Sequence, residues 1–155
     1  MTPAGLLHHF ADKEELFAEV LRQRDEKVRQ AAGDPAEHTL LAQARRVVAH
    51  NRASRGLTSL YAIVSAEATD SEHPSHADFA ARYRDRATEA EAILRLGQAD
   101  GEVRDDIDPA LAARLISGVM DGIQLQWLLD DTVDMVALFD EFVRGYLLPP
   151  AEPRR

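Results

Sequence analysis

Cysteine is absent from the 155 residues, which excludes disulfides, thiolate metal sites and a cysteine nucleophile. Aromatic residues are scarce at 6%, and alanine and leucine abound, so side-chain entropy favours helix over the pleated surfaces that strands need. No stretch approaches the roughly 18 uninterrupted apolar residues of a membrane span. A basic-then-apolar leader is also missing, and a cytoplasmic location with no membrane partner is the expectation. Positive charge is in deficit: 18 Lys+Arg stand against 27 Asp+Glu, a formal net charge of −9. Such a chain repels a phosphate backbone unless it carries a local basic face, and none is visible. Neither G-x-S-x-G, nor a P-loop, nor a dinucleotide fingerprint occurs, so covalent and phosphate chemistry have no evident home and no cofactor is expected.

What is present, 45% hydrophobic and 29% charged residues, suits one globular domain that buries about 70% of its unfolded surface. Apolar residues recur at spacings of three and four, without sustained alternation, which predicts an all-α fold. A two-turn helix is expected from Pro3 to His9, capped by Thr2. Asp12 and Glu15 form a capping box for the next helix, which carries Leu16, Phe17, Val20, Leu21 and Val28 on one stripe and ends at Gly33-Asp34-Pro35. Further helices are expected over Ala36–Ser54, Leu57–Thr69, with Gly56 as the break, and His76–Gln98, bracketed by Gly97 and Gly101. Asp108-Pro109 is a strong start signal for a helix to Leu129, and Thr132 is read as the cap of a last helix stopped by Pro149 and Pro150.

The last two helices are apolar on more than one side. The helix from Pro109 has one line through Ala112, Ile116, Val119, Ile123 and Trp127, and beside it a second through Leu111, Leu115, Gly118, Gly122, Leu125 and Leu129. A small monomer core cannot hide all of this, which predicts a homodimer built as an intermolecular four-helix bundle. Its interface is expected at Ile116, Gly118, Val119, Gly122, Ile123, Phe139, Phe142, Val143 and Tyr146, the two glycines permitting close crossing.

A second set of residues is polar or aromatic and lies on or beside the apolar stripes: Asn51, Ser54, Tyr61, Ser65, Tyr83, Gln124 and Trp127. An apolar space between helices with a few convergent hydrogen-bonding groups is what a small-molecule site requires; each residue alone is more often an ordinary core-edge or surface position, and the set is better evidence than any member. His73 and His76, with Glu67 or Asp70, are the residues a metal site would use. Pro74 keeps them in a loop, no H-E-x-x-H spacing exists, and no metal is expected.

The run Thr2-Pro3-Ala4-Gly5-Leu6-Leu7-His8-His9-Phe10-Ala11-Asp12-Lys13-Glu14-Glu15-Leu16 resembles the end of the helix-turn-helix and the start of the following helix in TetR-family transcriptional regulators, whose pattern runs like S-x-G-T-L-Y-x-H-F-x-S-K-E-E-L. Gly5 and Leu7 depart from it. Gly101-Glu102-Val103-Arg104 to Asp108-Pro109, Asp121-Gly122 and Trp127-Leu128-Leu129 are similar to the C-terminal region of many members.

The resemblance implies a homodimeric all-α regulator, non-enzymatic, whose largely apolar small-molecule effector weakens operator binding. It also implies DNA contacts from Thr2, Gly5, His9 and Lys13. Residues 1–11 would be a remnant of the recognition helix, 12–149 the effector-binding and dimerisation domain, and 150–155 a tail. The first two helices of the DNA-binding domain are missing from these residues, so ligand binding and dimerisation are expected of this chain, and operator binding only of a full-length parent. Met1 falls where valine is common, and a GTG codon also serves as a start, so the reading frame is expected to continue upstream. Two alternatives stay open: a stand-alone sensor or dominant-negative dimerisation partner, and a small helical metal enzyme using Glu67, His73 and His76.

Overall fold

The computed structural model describes residues 10, 13–33 and 40–150. They form α1 (Lys13–Ala32), α2 (Leu40–Ala53), α3 (Arg55–Glu67), α4 (His76–Ala99), α5 (Pro109–Leu129) and α6 (Met135–Phe142), with a π-helical turn at Val143–Leu147. There is no strand among the described residues. The expected helix from Pro3 to His9, the Asp12 cap, the start at Ala36 and the tail beyond Pro150 lie outside them.

Helix ends follow local chemistry. The α1 helix stops at Gly33, whose φ of 82° lies in the left-handed region open to glycine. The α4 helix ends similarly at Gly101, with φ 75°, and the N–H groups of Glu102 and Val103 donate to the Gly97 carbonyl at 2.8 and 3.0 Å. Val103 folds so tightly back onto α4 that a Cβ at Gly97 would lie 2.7 Å from its Cγ2. Asp108 caps α5 as expected, its carboxylate accepting from the N–H groups of Ala110 and Leu111.

Two boundaries differ from expectation. Gly56 lies inside α3, and the break falls at Ser54, whose φ and ψ of −116° and 46° leave the helix. One glycine costs only about 1 kcal/mol in a helix, and the Thr58 hydroxyl secures the corner by donating to the Asn51 carbonyl at 2.9 Å. The cap of α6 is Asp134, which accepts from Val136 and Ala137. Thr132 is held instead by Asp130, to which both its N–H and its hydroxyl donate.

The main core joins Val48 of α2, Leu94 of α4 and Val103 of the connector to Ala112, Ala113, Ile123 and Trp127 of α5; Met135, Phe139, Val143 and Leu147 complete it. The most extensive helix pairing is α4 with α5. Gln98 pins the connector between them by donating to the carbonyls of Arg104 and Ile107, each at 3.0 Å. A smaller core of Leu21, Tyr61, Ala68 and Phe79, with Phe17, Val64 and Tyr83 against it, lies among α1, α3 and α4.

Candidate functional site

The first line of α5 turns inward, as its apolar spacing requires. Ala112, Ile123 and Trp127 are buried, and Ile116 and Val119 pack against the core. The second line turns out. Leu111, Leu115, Leu125 and Leu129 are 47 to 81% exposed, and nothing lies within 4 Å of a Cβ built at Gly118 or Gly122. Steps of four and three keep these six positions on one straight seam, the geometry that a second helix covers. Of the residues expected at the dimer face, Ile123, Phe139 and Val143 are 2 to 6% exposed and belong to this chain's own core, because α6, which carries Phe139 and leads into Val143, packs against both α2 and α5. Phe142 and Tyr146 stack on each other at 5.5 Å between ring centroids and pack against the core edge.

The seven expected pocket residues do not converge on one cavity. Tyr61 and Tyr83 belong to the smaller core and Trp127 to the larger. Trp127 lies under the Arg55 guanidinium, 4.7 Å from its ring centroid, and Arg55 also donates to the Leu128 carbonyl at 2.9 Å. Asn51 is buried at the α2–α3 corner and Gln124 within α5. Ser65 donates into its own helix, to Ala62, and Ser54 makes no side-chain cap bond. A hollow of about 70 Å³ between α1 and the start of α4 is lined by Phe17, Ala18, Leu21, Pro74, Ser75, Asp78 and Arg82, none of them in the expected set.

Around the two tyrosines the sequence reading missed a knot of charge. Arg24, 5% exposed, stacks on the Tyr61 ring at 4.2 Å, and Arg86 stands 5.1 Å from the same centroid. Arg86 donates to the Tyr61 hydroxyl at 2.9 Å and to Asp25 at 3.0 Å. Arg82 also meets Asp25, and Tyr83 donates to Asp121 at 2.6 Å. Burial and its hydrogen bond to Asp121 push the Tyr83 phenol above its usual range; burial likewise lifts the Asp121 carboxyl. Burial, then repulsion from Arg86, pushes the Arg24 guanidinium down to about 10. The signal was in the spacing: Arg24 falls in phase with Phe17, Leu21 and Val28, a charge on an apolar stripe.

Thr2, Gly5 and His9 lie outside the described residues, as does the side chain of Lys13. His76 bonds the Ala68 carbonyl through Nδ1 at 2.8 Å, and His73 Nδ1 accepts from the Ser75 N–H at 3.1 Å. Among the described residues, no three His, Asp or Glu side chains are grouped to hold a metal ion, and no helix is long and apolar enough to cross a membrane.

A helical bundle of this order, closing on a long helix and a shorter one packed across it, is the all-α C-terminal domain of a TetR-type transcriptional regulator. Within that class, the family described as BetI-type transcriptional repressor, C-terminal, matches residues 36–148, and the chain belongs to it. No curated protein and no solved structure matches the chain.

Proposed function

We propose that this chain is the effector-binding and dimerisation part of a ligand-responsive, cytoplasmic repressor of TetR type. It works as a homodimer, takes a largely apolar small molecule, has no catalytic role, and leaves operator recognition to the helix-turn-helix of a full-length parent. The observation that carries the reading is the outward seam of α5: four exposed leucines flanking Gly118 and Gly122, with a second copy of the same seam as its natural cover.

The test is sedimentation of the chain and of Leu115→Glu with Leu125→Glu. The chain should sediment at twice its 17.2 kDa, and the double variant as a folded monomer. A chain that is monomeric at all concentrations, or a variant that remains dimeric, sinks the proposed interface.

A further inference from the structure

We propose that the charged knot between α1, α3 and α4 is the anchor of the effector site and takes the carboxylate of a small amphipathic monocarboxylate. This rests on the effector-binding role proposed above.

Charge balance comes first. Arg24, Arg82 and Arg86 all pair with the single carboxylate of Asp25; Asp121 is engaged by Tyr83, and Asp78 lies on the wall of the hollow that Arg82 lines. Arg24 is almost wholly buried and Arg82 and Arg86 partly so, and three guanidiniums sharing one carboxylate leave room for a further anion. Hydrogen bonding is incomplete as well. Arg24, almost wholly buried, reaches its neighbour Asp25 only at 3.5 Å.

The knot also has an opening. Arg82 forms part of the wall of the 70 Å³ hollow, beside the apolar side chains of Phe17, Leu21 and Pro74. That is room for several water-sized groups, enough for a carboxylate and its first carbons against an apolar wall. A guanidinium beside apolar side chains suits a planar anion with a hydrocarbon body.

A monoanion fits better than a phosphate dianion. Asp78 on the same wall repels negative charge, and a dianion meets about twice the repulsion that a monoanion does. Asp25 already shows the mode, a carboxylate from α1 held by Arg82 and Arg86 of α4. An incoming carboxylate competes with Asp25 for those two arginines, so occupancy loosens the ion pairs that seat α1 on α4.

The experiment is calorimetric titration of the whole chain with hexanoate and benzoate, their neutral amides, and inorganic phosphate. The carboxylates should bind at least about tenfold more tightly than the amides or phosphate. Arg82→Gln should weaken them by a similar factor, and Arg82→Lys by less. Asp25→Asn, which removes the internal competitor, should tighten them, a direction that mere loss of structure cannot imitate; thermal melts check that each variant folds.

Equal binding of amides, tighter binding of phosphate, or indifference to Arg82→Gln and Asp25→Asn overturns the carboxylate anchor and leaves the effector role standing. No binding of any probe also overturns the anchor. A thermal-shift screen with neutral and cationic small molecules then separates the cases: a saturable stabiliser preserves the effector role, and its absence removes that too.

Discussion

Asp121 and Arg114 are the two charged residues in the 21 of α5, and only the environment of Asp121 is largely closed to water. Burial raises its carboxyl above the usual range against the pull of Tyr83 and Arg86. A folded value above the unfolded one means that the associated stability is fully present below the unfolded pKa, about 3.9, and is lost as pH rises through the folded value. Asp121→Asn keeps an oxygen to accept from Tyr83 and removes the titration. The variant should therefore gain in melting temperature over the parent chain as pH goes from about 3.5 to about 7. Melts followed by circular dichroism at both pH values decide it, and a gain that shrinks with rising pH contradicts a buried, ionised Asp121. That Tyr61 and Tyr83 sit at the core was legible in the sequence, because both fall on or beside an apolar stripe. Their arginine partners were not, since long charged side chains are assigned to solvent by default and often do reach it.

At the scale of elements, helix existence was written in the spacing of apolar residues, and helix ends in cap chemistry that competes over short distances. Asp130, Thr132 and Asp134 all offer cap oxygens within five residues. Asp130 engages the N–H and hydroxyl of Thr132, which leaves Asp134 to accept from Val136 and Ala137 at 3.0 and 3.1 Å. Spacing alone cannot rank such neighbours, because the outcome depends on where the chain leaves α5. Asp134→Ala should cost about 1 kcal/mol of stability, and Thr132→Ala only a few tenths. Urea denaturation of the two variants checks this ordering, and a larger loss for Thr132→Ala would restore it as the cap. The π-helical turn at Val143–Leu147 was equally illegible: its side chains keep the apolar order of an α-helix, and its end meets a distant segment, the Arg104 N–H donating to the Leu147 carbonyl at 2.9 Å.

For the whole molecule, a helix apolar on two sides does not say which side faces its own subunit. That ambiguity placed Phe139 and Val143 at the expected dimer face, whereas they fill the core. The seam of α5 is the side left exposed, and its glycines open the proposed interface to a test with opposite signs. Within one subunit nothing stands near a Cβ at Gly118 or Gly122, so these glycines weaken α5 by up to about 1 kcal/mol each for no local return. If they serve the crossing of a second α5, Gly118→Ala should stabilise the isolated subunit by up to about 1 kcal/mol while holding the paired helices apart and weakening association. The first effect is read by denaturing Gly118→Ala in the monomeric Leu115→Glu, Leu125→Glu background, the second by sedimentation equilibrium of Gly118→Ala alone. Alanine that strengthens both subunit and dimer would mean the glycines face solvent in the assembly, and the crossing would have to move along the seam toward Leu125 and Leu129.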